Sequence, residues 1–142
     1  IMKFGVLSAE YEFIDYSMAK FSETGDDYDY TNKNDAIKNS LKSVSNIRVG
    51  AEVRLSRLYF RGGYSYYGKA YKSGDVNSNI DYSSISLGAG FREQNLFIDF
   101  AFTTMTNPQN YILYASNIET PMAKMNINRN IFTVSFGYKF GR

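Results

Sequence analysis

Near its end the chain runs Asn128-Arg129-Asn130-Ile131-Phe132-Thr133-Val134-Ser135-Phe136-Gly137-Tyr138-Lys139-Phe140. Apolar and polar residues alternate along this stretch, and successive side chains of a strand point to opposite faces. The pattern therefore predicts a strand over about 128–140 with one apolar face. That face would carry Phe132, Val134, Phe136, Tyr138 and Phe140.

Five earlier segments have the same period of two, and none has a helical period. In the fourth segment, for example, Ile85, Leu87, Ala89 and Phe91 alternate with serine, glycine and arginine. Each segment is close to the length of about 9–11 residues that a tilted strand needs to cross a bilayer. The predicted strands cover about 4–16, 44–55, 58–67, 82–92, 96–104 and 128–140.

The connections between these segments alternate between long and short. Residues 17–43, 68–81 and 105–127 form long polar loops, whereas Ser56-Arg57 and Glu93-Gln94-Asn95 are tight joins. Long loops on one side and short turns on the other are typical of bacterial outer-membrane barrels. If the long loops are extracellular, Phe140 lies at the periplasmic rim, where the last strand of a barrel should end.

The composition fits a strand-rich protein and excludes several kinds of chemistry. Aromatic residues make up 17% of the chain, and there is no Cys and no His. Thiol and imidazole catalysis and the usual zinc sites are therefore excluded, and we predict no enzyme activity, no metal and no cofactor. The net charge of +2 is too small to favour nucleic acid as a partner.

Strands of a soluble β-sandwich or lipocalin-like barrel also alternate apolar and polar residues. The residues on the faces opposite the apolar ones therefore decide between these folds and a membrane barrel. These faces mix charge with Gly and Ser, as suits a wet lumen, and aromatic residues gather near strand ends as in interfacial girdles. We therefore predict that the apolar side chains face lipid. The aromatic residues near the strand ends, which would form the girdles, are Tyr16, Tyr59, Tyr66, Tyr67, Tyr82, Phe91 and Phe140.

The charged residues of the opposite faces have two interpretations. They could steer or hold the polar head of a ligand, or they could form an ion network that braces the lumen. The network is favoured because charges held away from bulk water generally need partners. The candidate lumen residues are Glu10, Glu12, Arg48, Glu52, Arg54, Arg61, Arg92 and Asp99.

The acidic stretch Asp26-Asp27-Tyr28-Asp29-Tyr30 invites comparison with a calcium loop. An EF-hand needs Gly at its sixth position and Glu at its twelfth. Counted from Asp27, these positions hold Asn32 and Lys38. The stretch is therefore interpreted as a solvated loop.

The last strand resembles the C-terminal assembly signal of outer-membrane proteins, although Gly141 and Arg142 follow its terminal aromatic residue. More of the chain resembles the C-terminal region of the FadL/TodX family of outer-membrane transport proteins, in the form common in Bacteroidetes. The resemblance rests on Gly5 to Ser17, on Ile47 to Arg54 with Leu58 to Tyr64, and on Ser84 to Phe100. It covers most strands but not the loops.

This resemblance implies the last six strands of a 14-stranded up-and-down barrel in the outer membrane of a Gram-negative bacterium. It implies passive, binding-assisted transport of hydrophobic compounds such as long-chain fatty acids. It also leaves open a non-transporting scaffold in a secretion or cell-surface complex. The implied partners are outer-membrane lipid, the barrel-assembly machinery, a hydrophobic ligand, and other outer-membrane or secretion-complex proteins.

The strand count independently predicts that residues 1–142 are one portion of a larger barrel, which the resemblance makes the C-terminal portion, or that the chain closes a barrel with other chains. Six strands would leave two unpaired edges in lipid, where each unsatisfied backbone group costs several kcal/mol. Ile1-Met2-Lys3-Phe4 also has none of the features of a signal peptide. We therefore expect a signal and upstream strands to lie outside this chain or to have been removed.

Overall fold

A computed structural model of the chain describes residues 4–22, 29–114 and 121–140, and six strands dominate it. The strands form one antiparallel sheet in chain order, so each strand pairs with its neighbours in sequence. The predicted all-β chain of six consecutively paired strands is confirmed. The strands are β1 (Gly5–Asp15), β2 (Ser43–Leu55), β3 (Leu58–Tyr67), β4 (Tyr82–Glu93), β5 (Leu96–Ile112) and β6 (Met122–Tyr138).

The register of the sheet sorts its side chains onto two faces, because residues directly opposite each other on paired strands share a face. Leu87 lies opposite Gly62 on β3 and Phe102 on β5. We refer to their side as the apolar face. Arg61 lies opposite Glu52 on β2 and Gly88 on β4, and their side is the polar face.

The apolar face is uncovered. Leu7 is 73% exposed, Phe132 77% and Phe136 83%. Within the described part of the chain, Val44 is the single buried hydrophobic residue, at 6% exposure. A soluble β-sandwich would instead pack such side chains against a second sheet.

Two tight hairpin turns join β2 to β3 and β4 to β5. Each turn has two residues, Ser56-Arg57 and Gln94-Asn95, because Leu55 pairs with Leu58 and Glu93 pairs with Leu96. Glu93 therefore belongs to β4 and not to the predicted join. The first residue of each turn has a positive φ, 57° at Ser56 and 32° at Gln94. Two-residue hairpins favour such turns because their twist matches that of the strands.

The β5–β6 hairpin is longer than predicted, and the predicted loop 105–127 is wrong over most of its length. Pairing continues from Thr104 as far as Ile112 opposite Met122. Pro108 does not interrupt β5. The amide of Asn110, two residues on, points away from β6 and donates to Asn77 Oδ1 at 2.8 Å. The backbone nitrogen of Pro108 points to the same side, away from β6. The N–H that proline lacks therefore removes no hydrogen bond between β5 and β6.

The predicted loop 17–43 contains helical structure, which the sequence did not predict. A short 3-10 turn (Tyr16–Met18) follows β1, and helix α1 (Thr31–Ser40) precedes β2. Helix α1 buries none of its residues, so it presents no apolar stripe to be read from sequence. The Asn34 side chain attaches the helix to the segment before it, because it accepts from Phe21 N at 2.8 Å and donates to Phe21 O at 3.0 Å.

The long connections lie at one end of the sheet, called the loop end, and the two hairpin turns lie at the other, called the turn end. At the loop end a β-bridge joins Leu41 to Tyr71. Lys42 N donates to Ala70 O at 2.9 Å on one side of the bridge. Asn110 Nδ2 donates to Val76 O at 2.7 Å, which ties the second connection to β5. Backbone and side-chain bonds thus link the first two long connections to the extended hairpin.

Candidate functional site on the polar face

All eight predicted lumen residues lie on the polar face. Glu10 pairs with Arg48, and Glu52 pairs with Arg61. Asp99 pairs with Gly90, which shares a face with Gly88 and hence with Arg61. Glu12, Arg54 and Arg92 follow by the period of two. The structure brings these residues together as two clusters, one towards each end of the sheet.

The loop-end cluster consists of Glu10, Glu12 and Arg48, held by Asn46 and Tyr67. Arg48 forms an ion pair with Glu10 and binds Glu12 Oε2 through Nη2 at 2.9 Å. Asn46 Nδ2 donates to the same Glu12 oxygen at 2.9 Å. The Arg48 guanidinium also lies 5.2 Å from the Tyr67 ring centroid. Two carboxylates against one guanidinium give this cluster a formal charge of −1.

The turn-end cluster consists of Glu52, Arg54, Arg61, Arg92 and Asp99. Glu52 accepts from Arg54 Nε and from Arg61 Nε, each at 2.6 Å. Arg61 Nη1 reaches Asp99 Oδ1 at 2.7 Å, whereas Arg92 Nη2 stays 4.0 Å from Asp99 Oδ2. Three guanidiniums against two carboxylates give this cluster a formal charge of +1.

Tyr59 lies at the centre of the turn-end cluster. The guanidinium carbons of Arg92, Arg54 and Arg61 lie 4.5, 5.6 and 5.8 Å from the centroid of its ring. A cation over an aromatic face is attracted by the ring quadrupole. The Tyr59 ring therefore supports a group of like charges that two carboxylates alone do not neutralise.

A groove of about 660 Å³ separates the two clusters on the polar face. Its floor is a row of small residues opposite one another on four strands, and Arg48 and Arg61 stand on its two sides. The groove is therefore shallow in the middle and charged at its margins, a shape that admits a ligand or another segment of polypeptide. The floor residues are Ser8, Gly50, Gly63 and Ser86.

The residues of the predicted assembly signal lie along β6. Phe132, Val134, Phe136 and Tyr138 are on its apolar face, opposite Phe102, Phe100, Ile98 and Leu96 of β5. Strand β6 ends at Tyr138, two residues earlier than predicted. Phe140 follows it, with its ring centroid 4.9 Å from that of Tyr138. The two rings thus cluster at the turn end of the sheet.

Several aromatic residues predicted as girdle residues lie elsewhere. Tyr59, Tyr67 and Tyr82 are on the polar face, where the first two contact arginines. Tyr66 and Phe91 are on the apolar face, as a girdle requires. The period of two already puts Tyr59 in phase with Arg61. The period of two determines the face of a residue, whereas nearness to a strand end does not. The girdle prediction was therefore wrong for these three tyrosines.

The acidic loop Asp26–Tyr30 lies partly outside the described residues, which resume at Asp29. There the Asp29 carboxylate accepts a hydrogen bond from Thr31 N at 2.8 Å. Hydrogen bonds from Thr31 hold the pKa of Asp29 below its ordinary value, because they stabilise the ionised form. Asp29 therefore has a structural role at the start of α1.

Comparisons of the chain with protein-family models, with curated proteins and with solved structures gave no match. In the part of the chain that the structure covers, no helix is both long enough and apolar enough to span a membrane.

Proposed function

We propose that the chain is the membrane-embedded C-terminal part of an outer-membrane β-barrel that carries hydrophobic small molecules by passive, binding-assisted diffusion. The observation that carries the proposal is the inverted polarity of the sheet. Its apolar face is exposed along all six strands, and its charged residues pair with one another on the opposite face. Lipid is the environment in which a sheet of this polarity is stable.

The size of the exposed surface supports lipid over water. Phe100, Phe132, Val134 and Phe136 alone are 56–83% exposed side by side on β5 and β6. Burying one such side chain contributes about 1.5–3 kcal/mol, which is a large part of the usual stability of about 5–15 kcal/mol. A monomer in water would lack this burial free energy at nearly every residue of the apolar face.

The edges of the sheet support closure into a larger barrel. The outer backbone groups of β1 and β6 have no strand partner within the described sheet. In a bilayer such groups must be satisfied by further strands. The proposed barrel therefore contains additional strands between β1 and β6, as in the 14-stranded FadL/TodX barrels that the sequence resembles.

The polar face supports transport of an amphiphile through the interior. The groove between the two clusters is lined by small side chains, while the charged groups lie at its margins. Such a lining leaves room for an apolar chain beside polar groups that can orient its head. In the proposed orientation the loop end faces the outside of the cell and the turn end faces the periplasm.

Cell fractionation tests the membrane location. The full-length protein should be recovered in the outer-membrane fraction and should require detergent for extraction. Its band on an unheated SDS gel should migrate differently from the heated one, because folded barrels resist SDS. Recovery in the soluble fraction without detergent would contradict the proposal.

A second candidate function is a scaffold in a cell-surface or secretion complex, and the β5–β6 hairpin favours it. Beyond Thr106 this hairpin extends past the end of β4, and the last described residues on its β5 side are 47–64% exposed: Tyr111, Ile112, Leu113 and Tyr114. Exposed apolar patches outside the membrane often mark protein interfaces. Loss of fatty-acid uptake on deletion of the gene would favour transport. Unchanged uptake with stable co-purification of another surface protein would favour scaffolding.

A further inference from the structure

The turn end of the polar face carries more positive charge than its carboxylates can neutralise. Among the described residues its cations are Arg54, Arg61, Arg92 and Lys139, and its carboxylates are Glu52 and Asp99. Four cations against two carboxylates leave a formal charge of +2. This surplus is local, because the loop-end cluster is formally negative.

The surplus is concentrated on two residues. Glu52 is bound by both Arg54 and Arg61. The nearby Arg57 and Glu93 neutralise each other in a separate ion pair. The strongest contact of Asp99 is with Arg61 at 2.7 Å, whereas Arg92 lies 4.0 Å away. No ion pair of Lys139 occurs within the described ranges. Arg92 and Lys139 therefore keep donors that the carboxylates of the described residues do not occupy.

These two cations line one pocket. Its volume is about 180 Å³, and Gln94, Asn95, Leu96 and Phe97 form the rest of its lining. Arg92 lies opposite Phe97, and Phe97 lies opposite Gly137, so Lys139, two residues on, continues the same face. The backbone bond from Lys139 N to Asn95 O, at 2.7 Å, fixes the end of β6 against the turn.

The shape and chemistry of the pocket indicate the class of ligand. Pockets for whole drug-sized ligands have volumes of about 300–1,000 Å³, so this one is sized for a head group. Arginine and lysine donors bind carboxylate and phosphate through charge-assisted hydrogen bonds. Phe97 adds an apolar wall, and Arg92 is held over the Tyr59 ring at 4.5 Å. Arg92 is thus positioned before any ligand arrives.

We propose that Arg92 and Lys139 form a binding site for the anionic head group, carboxylate or phosphate, of a small molecule, with Phe97 contacting the apolar part next to the head. The inference does not depend on transport, because it rests on charge and geometry at the turn end. If the transport proposal also holds, the site lies at the periplasmic end of the lumen.

Calorimetric titration of the full-length protein in a non-ionic detergent tests the site. The probes are benzoate and phenyl phosphate, with benzyl alcohol as the uncharged control. We expect both anions to bind more tightly than benzyl alcohol, and the tighter of the two identifies the preferred head group. Their affinity should fall as NaCl is raised, because the contacts are ionic. Equal binding of all three probes, or binding of none, would overturn the inference.

Variants assign the binding to these residues. The double variant Arg92→Gln with Lys139→Gln should lose at least tenfold in anion affinity. Arg129→Gln is the matched control, because Arg129 lies on the same face of β6 but opposite Met105, far from the turn end. Unchanged anion binding in the double variant, or an equal loss in the control, would contradict the assignment.

Folding of the double variant is checked by its heat-dependent migration on SDS gels. If it does not fold, Arg92→Lys and Lys139→Gln are measured singly. The first keeps the charge and should stay within about threefold of the wild type, whereas the second should weaken anion binding. The opposite order of effects would contradict the proposal. Binding of benzyl alcohol should be unaffected throughout.

Discussion

Gly90 shows at the scale of single residues how the turn-end cluster is built. It lies directly opposite Asp99, and a Cβ at this position would overlap the Asp99 carboxylate. The absence of a side chain allows that carboxylate to lean across β4 and reach Arg61 on β3 at 2.7 Å. A glycine without any special φ is therefore needed for an ion pair between two other strands.

Gly90→Ala should displace the Asp99 carboxylate and weaken its bond to Arg61. We expect a loss of about 1 kcal/mol or more in stability, since a methyl group must be fitted beside a paired carboxylate. Thermal unfolding in detergent measures the change. Gly62→Ala is the matched control: its Cβ would meet only Leu87 Cδ2, at an ordinary 3.8 Å. Equal losses in both variants would contradict the role of Gly90.

Gly137 has a related role on β6, because the Phe97 ring lies across its backbone. An aromatic ring packed over a glycine of the neighbouring strand compensates for the missing side chain. The arrangement also fixes Phe97 as one wall of the pocket between Arg92 and Lys139. Sequence alone shows only that Phe97 and Gly137 lie on polar faces, and the contact between them depends on the register of β5 and β6.

At the scale of elements, the hairpin turns set the register of four strands. Ser56 and Gln94 both adopt positive φ, although neither is a glycine or an asparagine. A left-handed conformation costs an ordinary L-residue roughly 1–2 kcal/mol. Both turns therefore contain local strain, which the pairing of the long strands around them overcomes.

Ser56→Gly should relieve this strain at the first turn. We expect stability to rise by up to about 1 kcal/mol, although glycine's greater freedom in the unfolded chain offsets part of the gain. The midpoint of thermal unfolding in detergent checks the expectation. Arg57→Gly, at the next position, should lower the midpoint, because it relieves no positive φ, adds freedom to the unfolded chain and removes the ion pair with Glu93. A rise in both variants would contradict the explanation.

Helix α1 should depend on pH through Asp29. Its pKa is lowered in the folded state by hydrogen bonds from Thr31, so the ionised carboxylate stabilises the start of the helix. This contribution is present above the ordinary Asp pKa of about 3.9 and is lost as the pH falls through the lower, folded value. Amide hydrogen exchange at the start of α1 should therefore accelerate at acid pH.

Asp29→Asn provides the control for that pH dependence. Its amide oxygen can still accept from Thr31 N, but it has no proton to gain over this range. Exchange in this variant should show a much smaller acid step than in the wild type, once intrinsic exchange rates are corrected for. An unchanged acid step would assign the effect to another group.

At the scale of the whole molecule, the two faces predict opposite responses to the same substitution. Leu87 is 60% exposed on the apolar face, near the middle of β4. Ser86, its neighbour, lies on the polar face at the floor of the groove. Only the first position contacts lipid in the proposed barrel.

Leu87→Arg should destabilise the barrel by about 2–4 kcal/mol, the cost of an arginine near the bilayer midplane. Ser86→Arg should cost less, because the groove offers space and water to the guanidinium. Unfolding by urea from lipid vesicles measures both variants under the same conditions. Equal costs, or a greater cost for Ser86→Arg, would contradict the assignment of the apolar face to lipid.

The fold was largely predictable from the sequence because the strand period is a local property. Each of the six segments alternates by itself, and the short joins at Ser56-Arg57 and Gln94-Asn95 force adjacent segments to pair. The prediction was wrong where pairing is decided by a partner strand. Residues 105–112 look like loop, and they are strand because β6 continues beside them.

The candidate site was predictable only as a set of residues. Alternation placed Arg48, Arg61, Arg92 and Asp99 on one face, because a strand's period of two is fixed by its backbone. The sequence does not show that Arg61 binds both Glu52 and Asp99. Nor does it show that Arg92 and Lys139 line one pocket with donors that no described carboxylate occupies. The residues concerned lie up to 47 positions apart in the sequence, as Arg92 and Lys139 do. Only the register of the five strands β2 to β6 brings them together, so tertiary structure determines which charges are neutralised and which remain available.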